Sequence, residues 1–536
     1  MNFACSEIIS YFRTNQRKTV MKYPIGIQQF EKIRKGGYVY VDKTAQVYQL
    51  ATQGSYYFLS RPRRFGKSLL LSTLEAYFLG KKELFEGLAL EHLETEWKQY
   101  PVLHLDLNVD VYDTSHNLEQ VLNEALSQWE TVYGSNSNEV TPSLRFKGII
   151  RRACEQTGKQ VVILVDEYDK PLLSTIDRKD LHDTYRNTLK GFYGVLKSQD
   201  AYIRFAFLTG VSRFSHVSIF SDLNNLEDIS MDREYAAICG ITEDELRAYF
   251  RESIKAFAVA NGMAEEVVCC ALKQQYDGYH FSEHGVGVYN PFSLLNAFKK
   301  KKMSDYWFKT GTPTFLVKLL QANDYDLRRL KGIYVDGSTL AGVDEEYTDL
   351  IPVLFQSGYL TIADYDAELG YRLDFPNQEV ERGFFDFLMP SYTCVNKSEV
   401  QSYLNRLTAA LRQGRPDEWL QTLQAMLSRK SYLMAGGDKE VHFQNTLYLI
   451  FMMLGYNVQV EQATSQGRMD VAIETRDYVY VLELKLDKSA EEALQQIKDK
   501  QYARAFQDDP RKVFLIGVNF SSGTRTVEGW LVEELH

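Results

Sequence analysis

The sequence predicts an α/β protein, and three observations support that fold class. Apolar strand candidates alternate with helical stretches over the first 240 residues, which is typical of a parallel sheet with helices on both faces. The following stretch, to about residue 395, reads mainly as helices. The last hundred residues show the order helix, three strands, helix, strand, which predicts a separate C-terminal α/β domain.

Changes in sequence texture suggest where each part begins. The first strand candidates are the apolar runs at 56–60, 102–107, 161–165 and 203–208. A helix is expected over 68–78, and another begins at Thr242, with Glu245 as its capping-box partner. In the C-terminal domain, helices are expected over 439–454 and 490–506, and strands over 456–462, 469–474, 478–486 and 513–518. The expected segments are an extension at 1–20, a first domain at 21–240, a mainly helical region at 241–395, a helical connector at 396–435 and a C-terminal domain at 436–536.

The composition argues against several classes of protein. With 61 Lys and Arg against 71 Asp and Glu, the chain has a formal net charge of −10 and no global basic surface, so a nucleic-acid site would be a local groove. The six cysteines contain no Cys-x-x-Cys, and the nine histidines lack ligand spacing, so neither a disulfide framework nor a zinc site is expected. The sequence contains no run of about 18 apolar residues, so no transmembrane helix is expected. The scattered cysteines fit a reducing cytosol best.

The loop between the first strand and its helix reads Arg61-Pro-Arg-Arg-Phe-Gly-Lys-Ser68. Gly66 lets the backbone approach phosphates, Lys67 would contact the β- and γ-phosphates, and Ser68 would hold Mg²⁺. Arg61 stands where a phosphate loop usually has its first glycine, and a chance Gly-Lys-Ser in a basic loop is the alternative. The residues expected to contact the nucleotide here are Arg61, Arg63, Arg64, Phe65, Gly66, Lys67 and Ser68.

Two further strand ends support a nucleotide site. The apolar run 161–165 ends in Asp166-Glu167, where the aspartate would hold Mg²⁺ and the glutamate would polarise the attacking water. Paired carboxylates at a buried strand end repel each other unless a cation lies nearby, although a solvated strand end is the alternative. After the strand at 203–208, Thr209 could sense the γ-phosphate and Arg213 could stabilise transferring charge, and an ordinary loop is the alternative.

Several segments together resemble the bacterial AAA-ATPase-like family. The resemblance covers about residues 21–300 and implies a P-loop parallel-sheet ATPase domain, with ATP bound by Lys67, Ser68 and Asp166 and with Glu167 as base. In that family the arginine-rich loop is the usual form of the phosphate loop. Core packing is expected for the aromatic segments 276–281 and 289–293, with a base-stacking surface as the alternative. The matching segments are 23–27, 41–44, 61–68, 165–171, 208–214, 276–281 and 289–293.

The C-terminal domain contains a second set of candidate site residues. Glu483 and Lys485 lie two positions apart on a predicted strand, so their side chains project from the same face. Asp470, on the preceding strand of the expected hairpin, can reach them. Two carboxylates and a lysine can bind Mg²⁺ and orient a water against a phosphodiester, but Glu-Leu-Lys is also common in ordinary amphipathic strands.

Two more residues add to this set. Glu440 lies on the apolar side of its predicted helix, where a carboxylate needs a partner. Gln496, in the helix after the strand pair, could hold a water or a phosphate. The ordered set resembles the PD-(D/E)XK nuclease superfamily over about residues 435–520. The resemblance implies a restriction-endonuclease-like fold, with Asp470 and Glu483 as metal ligands, Lys485 positioning the water and Glu440 as an accessory acid.

Two hypotheses on function remain open. The first is an ATP-driven or ATP-gated nuclease that cleaves DNA or RNA. The second is a nucleotide-switched binding or signalling protein whose C-terminal domain binds a partner or nucleic acid without cutting it. The expected cofactors are ATP and Mg²⁺, the expected location is the cytoplasm, and no membrane partner is expected. An oligomer is needed if an arginine acts on the ATP of a second copy.

Overall fold

The alternating apolar segments of the first 240 residues form a five-stranded sheet in the computed structural model. The strand order is β2-β3-β4-β1-β5, and each pair of neighbours is parallel. Every residue of β1 and β3 is buried, which explains why both read as uninterrupted apolar runs. The predicted α/β fold class with a parallel sheet is therefore confirmed. The strands are β1 (Tyr56–Ser60), β2 (Val102–Asp106), β3 (Val161–Asp166), β4 (Ile203–Gly210) and β5 (Glu227–Asp228).

The chain divides into two units. The first contains Met1–Trp307 and Tyr334–Arg372, and the second contains Phe308–Ile333 and Leu373–His536. The structure describes residues 21–176, 178–213, 225–308, 320, 325–341, 350–393, 395–428, 439–455, 457–464, 467–521, 523–524 and 526–535, without the side chains of 341, 439–444, 457–464 and 467–470. The predicted extension at 1–20 lies outside the described residues, and the other expected boundaries stay predictions.

Helices cover the sheet of the first unit. Helix α3 (Lys67–Phe78) follows β1 directly and packs against β2, β3 and β4. Helices α6 (Pro142–Thr157) and α8 (Lys179–Ser198) meet through Phe146 and Phe192, whose stacked rings have centroids 4.5 Å apart. The helices are α1 (Phe30–Gly36), α2 (Thr44–Gln53), α3 (Lys67–Phe78), α4 (Ala89–Leu93), α5 (Asn117–Tyr133), α6 (Pro142–Thr157), α7 (Lys170–Leu173) and α8 (Lys179–Ser198).

The region after residue 240 is mainly helical, as predicted. Its first helix starts with the expected capping box, in which Thr242 Oγ1 accepts from the N–H of Glu245 and the Glu245 carboxylate accepts from the N–H of Thr242. A small sheet of order β6-β8-β7, which the sequence did not predict, follows. The helices are α9 (Glu243–Tyr249), α10 (Arg251–Asn261), α11 (Glu265–Tyr276), α12 (Pro291–Lys300), α13 (Gly337–Ala341) and α14 (Leu350–Ser357). The strands are β6 (Ile333–Val335), β7 (Thr361–Asp366) and β8 (Gly370–Asp374).

The second unit contains a mixed sheet of order β13-β12-β11-β10-β9. Its central pair, β11 and β12, is parallel, and the other pairs are antiparallel. The strands are β9 (Asn457–Thr464), β10 (Gly467–Glu474), β11 (Tyr478–Leu486), β12 (Lys512–Ser521) and β13 (Thr526–Leu535). The helices are α15 (Gln378–Thr393), α16 (Lys397–Arg412), α17 (Pro416–Leu427), α18 (Lys439–Leu454) and α19 (Ala490–Asp499).

Two features of this unit differ from the sequence prediction. The helix expected over 490–506 ends at Asp499, because Gln501 is left-handed at φ 48° and a 3₁₀ turn, Tyr502–Phe506, follows. The edge strand β13 was missed, since its buried and exposed residues mix and it carries several glutamates. Among the described residues, no helix is long and apolar enough to cross a membrane.

Candidate functional site

The phosphate-loop candidate lies at the carboxyl end of β1, where α3 begins. Gly66 is the N-cap of α3 and has φ 98°, a left-handed conformation that glycine adopts without strain. Gly66 has no side chain with which to cap α3, so the N–H groups of the first turn are available to an anion. Ser68 is the second residue of this helix and is half-buried. The loop thus has the backbone arrangement of an anion site.

Lys67 is turned into this loop. Its side chain is buried, with the residue only 4% exposed, and Nζ donates to the carbonyl oxygens of Arg61 at 3.0 Å and Pro62 at 3.4 Å. Nζ also lies 3.6 Å from a carboxylate oxygen of Glu167. The ammonium group is therefore held beside the loop backbone by neutral carbonyls and by one carboxylate at long range.

A second group of polar side chains lies at the carboxyl ends of β3 and β4. Because β4 lies between β1 and β3 in the sheet, Thr209 lies next to Asp166, and its hydroxyl donates to Asp166 Oδ1 at 2.8 Å. Asp166 is 5% exposed. Asp106 on β2 is its register partner, and burial together with repulsion from Asp166 raises the pKa of Asp106. Carboxylates this close favour a cation between them.

The residues just after β3 are held in unusual positions. Glu167 has φ 54°, and a left-handed conformation at a residue other than glycine is a form of strain that concentrates at functional sites. Asp169 is fully buried and accepts hydrogen bonds from the N–H groups of Val211 at 3.0 Å and Ser212 at 2.6 Å. Burial, and next the charge of Glu167, raise the pKa of Asp169 to about 6.

The four arginines expected around the nucleotide fall into two pairs. Arg63 and Arg64 are exposed. Arg61 is buried, and its guanidinium donates to backbone carbonyls. Arg213 forms an ion pair with Asp228, with both Nε and Nη2 at 2.7 Å from the carboxylate. The assignment of these arginines to the nucleotide stays a prediction.

A mainly apolar cavity of about 110 Å³ opens beside Gly66. Lys43, the only charged side chain in its lining within the described residues, is held by both carboxylate oxygens of Glu245 at 2.5 and 2.7 Å. Thr73 Oγ1 donates to the carbonyl of Leu69. The lining includes Pro24, Val39, Tyr40, Val41, Phe65, Leu69, Leu70, Ile238, Cys239, Ile241, Phe250 and Leu295. Such a cavity suits a small, mostly apolar group.

The carboxylate–lysine candidate lies on β11 in the second unit. As the spacing predicted, Glu483 and Lys485 share a face, and Lys485 Nζ donates to Glu483 Oε1 at 2.9 Å. Gln496 of α19 donates to the same oxygen and lies 3.3 Å from the Tyr502 hydroxyl. Glu483 is 1% exposed. Three of the predicted site residues are therefore brought together around one buried carboxylate.

Asn519 lies beside this group on β12. It is the register partner of Lys485, just as Gly517 is the partner of Glu483. A Cβ at Gly517 would meet Leu494 of α19, so the glycine lets that helix pack closely over the sheet. The Oδ1 atom of Asn519 is buried, and within the described part of the chain it accepts no hydrogen bond. A buried acceptor in this state calls for an explanation, and a ligand at the site is one.

Comparisons with known proteins bear on both sites. A protein of Azotobacter chroococcum mcd 1, named "Uncharacterized protein in vnfD 5'region", is 38% identical over 535 residues, which cover 96% of this chain and 99% of that protein. The family model described as "Predicted AAA-ATPase" matches residues 24–220, and that of the PD-(D/E)XK nuclease superfamily matches residues 438–530. The chain belongs to the AAA-ATPase-like family, with a C-terminal PD-(D/E)XK domain.

One solved structure is also similar to this AAA-ATPase-like chain. Its title is "Structure of the Aeropyrum Pernix ORC2 protein (ADPNP-ADP complexes)", and the match covers 64% of this chain and 90% of that chain. The TM-score is 0.23 and the sequence identity is 11%, so the match places no residue of this chain.

The donor sets of the AAA-ATPase-like chain can be compared with the needs of Mg²⁺. Among the described residues, no three His, Cys, Asp or Glu side chains are grouped as metal ligands. The Ser68 hydroxyl and the Asp166 carboxylate are oxygen donors of the kind that Mg²⁺ takes, and in nucleotide sites phosphates and water complete its shell. In the second unit, Glu440 and Asp470 belong to α18 and β10, but their side chains lie outside those described.

Sequence reasoning missed three residues at these sites. Asp106 and Asp169 both end up beside Asp166 and Glu167, and the signal for Asp169 was present in the run Asp166-Glu-Tyr-Asp169. Asn519 carries no local signal, because only the parallel pairing of β11 and β12 brings it next to Lys485. A residue such as Asn519 can be assigned to a site only when the order of the strands in the sheet is known.

Proposed function

We propose that the first unit binds and hydrolyses ATP at the loop 61–68. The observation that supports this best is the convergence of Lys67, Asp166 and Thr209 at the carboxyl ends of neighbouring parallel strands. The N–H groups at the start of α3 and the Lys67 ammonium bind the phosphates. Ser68 and Asp166 would hold Mg²⁺, which would supply charge neutralisation at the phosphates. Glu167 accepts the proton of the attacking water.

The cavity beside Gly66 takes the adenine base. It is lined by apolar side chains, and Lys43, the charged residue in its wall, is already paired with Glu245. An aromatic base gains from leaving water here, and its position next to Gly66 directs the phosphates toward the loop. The pocket therefore contributes affinity, while the loop contributes recognition of the phosphates.

Binding of a fluorescent ATP analogue to the full chain tests the nucleotide site. Lys67→Ala is expected to weaken binding about 100-fold, because charge-assisted hydrogen bonds to phosphate are lost. Glu167→Gln is expected to keep binding and to abolish phosphate release. Lys159→Ala, an exposed lysine that donates to the carbonyl of Gln99, is the matched control and should bind like wild type. Equal affinity in Lys67→Ala and wild type would reject the site.

We further propose that the second unit cleaves nucleic-acid phosphodiesters. Support comes from the hydrogen-bonded group of Glu483, Lys485 and Gln496, whose members meet on one face of β11. Glu483 and Asp470 would hold a divalent metal, and the chemistry that such an ion would supply is Lewis-acid activation of a water. Lys485 positions that water, and Glu440 assists as an acid. Nucleotide binding in the first unit gates this activity.

The cleavage proposal is tested with single- and double-stranded DNA and RNA in Mg²⁺ or Mn²⁺, with and without ATP. Wild type is expected to cut at least one of these substrates, while Lys485→Ala and Asp470→Ala do not. Lys512→Ala, on the exposed end of β12 and paired with Glu534, is the control and should cut normally. Binding that depends on ATP and Lys67, without any cleavage, would instead establish the nucleotide-switched binding protein.

A further inference from the structure

The side chain of Arg61, at the start of the phosphate loop, is buried, and both of its terminal nitrogens are hydrogen-bonded inside the protein. The residue is 1% exposed. Its guanidinium donates to the carbonyl oxygens of Ser60 and Ser230 at 2.8 Å each and of Tyr235 at 3.0 Å. It also lies over the ring of Phe281, 4.1 Å from the ring centroid. Three carbonyls and one aromatic face thus surround a single cation.

These contacts are strong enough to keep Arg61 away from a phosphate. Burial lowers the pKa of Arg61 to about 10, so the group stays charged at neutral pH. A buried cation is costly unless hydrogen bonds and a favourable ring face replace its water, as they do here. Contact with a nucleotide would require the guanidinium to give up these partners and to cross the loop. The arginine is therefore better suited to hold the loop than to bind its ligand.

The main chain of Arg61 connects the buried guanidinium contacts to the phosphate site. Its carbonyl accepts from Lys67 Nζ at 3.0 Å, and its N–H donates to the carbonyl of Gly210 at the end of β4. One residue thus joins the lysine of the loop and the strand that carries Thr209 to the ring of Phe281. A shift of Arg61 would move the carbonyl on which Lys67 rests.

A second residue of the loop repeats the contact with the segment 276–281. Phe65 is buried and packs edge-on against Tyr279 at 4.7 Å and Phe281 at 5.6 Å. Pro62 is also enclosed, since a Cβ at Gly358 would come within 2.6 Å of its ring. The aromatic segment 276–281, which has no assigned role in nucleotide binding, therefore packs against the phosphate loop and supports it.

We propose that Arg61 is a positioning residue, and that Phe281 acts through it to set the shape of the phosphate loop. In this chain an anchored arginine replaces the conformational role of the missing first glycine. Any displacement of the segment 276–281 is transmitted to Lys67, so the helical region that carries this segment controls ATP affinity. The inference rests on the proposed ATP site and assigns a role to two residues that do not touch the nucleotide.

A double-mutant cycle on ATP binding tests the link between the two residues. Arg61→Lys and Phe281→Leu are each expected to weaken binding of a fluorescent ATP analogue roughly tenfold, as loss of a desolvated cation–π contact implies. The double variant is expected to lose little more than either single variant, because both act through one contact. Phe281→Tyr keeps the ring and should restore affinity to near the wild-type value. Unchanged affinity in Phe281→Leu, or losses that multiply in the double variant, would overturn the proposal.

A general loss of packing is excluded by a matched control. Phe146→Leu removes a buried ring of the same unit that stacks on Phe192, far along the chain from the loop. It is expected to lower thermal stability about as much as Phe281→Leu while leaving ATP affinity unchanged. Adenosine, which lacks phosphates, should lose less affinity than ATP in Phe281→Leu, because Lys67 takes no part in binding it. A parallel loss of ATP affinity in Phe146→Leu would contradict the proposal.

Amide hydrogen exchange without nucleotide separates this inference from the ATP site itself. Arg61→Lys and Phe281→Leu should both raise exchange roughly tenfold at residues 65–70, and Phe146→Leu should not. If wild type fails to bind ATP while the loop exchange rises in this pattern, the proposed function fails and the positioning role stands. Unchanged loop exchange in both variants would refute the positioning role, whatever the ATP result.

Discussion

The two candidate sites keep their charged side chains in place by different means. At the phosphate loop, the central charge is a cation, Lys67, and its nearest partners are the neutral carbonyls of Arg61 and Pro62. On β11 the central charge is an anion, Glu483, and its partners are a cation, Lys485, and an amide. In the first arrangement the carboxylate of Glu167 lies 3.6 Å from the ammonium group, whereas in the second the carboxylate and the ammonium group are paired directly at 2.9 Å.

This difference affects how readily each site can accept its proposed ligand, which is a nucleotide at the loop and a metal on β11. A cation held by carbonyls attracts a polyanion, and phosphate oxygens can replace the carbonyls without leaving a buried charge unpaired. A carboxylate held by a lysine must exchange part of that partner for a metal before it can act as a ligand. The first site is therefore prepared for nucleotide, while the second needs a rearrangement of Lys485. Substitutions at the two sites should then differ in their effect on stability and on activity.

Glu483→Gln is expected to have the largest effect on activity. The amide is nearly the same size and keeps a hydrogen-bonding oxygen, but it supplies no negative charge to a metal. Cleavage should fall about 1,000-fold, as for the loss of a group that acts directly in the reaction, while the second unit stays folded. Initial rates on a cleaved substrate, with circular dichroism as the folding control, measure this. Cleavage within threefold of wild type would mean that the carboxylate is only structural.

The two lysines provide the sharpest contrast when both are replaced by methionine. Lys67→Met should lose about 100-fold in ATP affinity and about 1 kcal/mol in stability, since the carbonyls of Arg61 and Pro62 lose a donor and Glu167 loses only an ion pair at 3.6 Å. Lys485→Met should cost the second unit about 2 kcal/mol, because Glu483 stays buried without its cation; partial exposure of Lys485 keeps this below the cost for a fully buried pair. Hydrogen exchange at α3 and at β11 reports the two stabilities separately. Equal losses at both positions would abolish the distinction between the sites.

The sequence predicted the parts of these sites that depend on local pattern. Apolar runs located β1 and β3, and the two-residue period of a strand placed Glu483 and Lys485 on one face, as their hydrogen bond confirms. The inward turn of Arg61 could not be predicted, because it depends on Phe281, 220 residues farther along the chain. The roles assigned to the individual site residues stay predictions.

Elements without a strong local pattern were the ones missed. The strand β13 alternates imperfectly and carries glutamates, so its pairing with β12 depends on a neighbour rather than on its own residues. Asn519 is polar at a buried strand position, and its place beside Lys485 follows only from the register of β11 and β12. The physical reason is the same in both cases, since pairing between distant segments decides them.

Asp169 extends the comparison to a buried carboxylate that accepts hydrogen bonds from the backbone N–H groups of Val211 and Ser212. Its pKa is raised from 3.8 to about 6 by burial, so the folded state resists its ionisation. The stability that this group contributes is fully present below about pH 4 and is lost as the pH rises through 6. The unfolding free energy of the first unit should fall by roughly 1–3 kcal/mol over that range.

Asp169→Asn is expected to remove this fall. The amide oxygen can accept from the same two N–H groups and carries no charge, so the variant should match wild type at pH 4 and exceed it at pH 8. Urea unfolding at a series of pH values measures the difference. Asp200→Asn, at a carboxylate that accepts from the Tyr56 hydroxyl, should keep the wild-type pH dependence. If the unfolding free energy of Asp169→Asn falls with pH as much as that of wild type, the titrating group is a different residue.

Tyr502→Phe should have the smallest effect, because the hydroxyl lies two hydrogen bonds away from Glu483 and three from Lys485. Gln496 stays bonded to Glu483 when its 3.3 Å contact with the Tyr502 hydroxyl is lost. Cleavage should fall less than about threefold and stability by less than about 1 kcal/mol, whereas Gln496→Ala should slow cleavage about tenfold. Rates of both variants on one substrate decide this. If Tyr502→Phe is as slow as Gln496→Ala, the hydroxyl acts on the substrate directly, and the neutralised carboxylate on β11 is only part of a larger site.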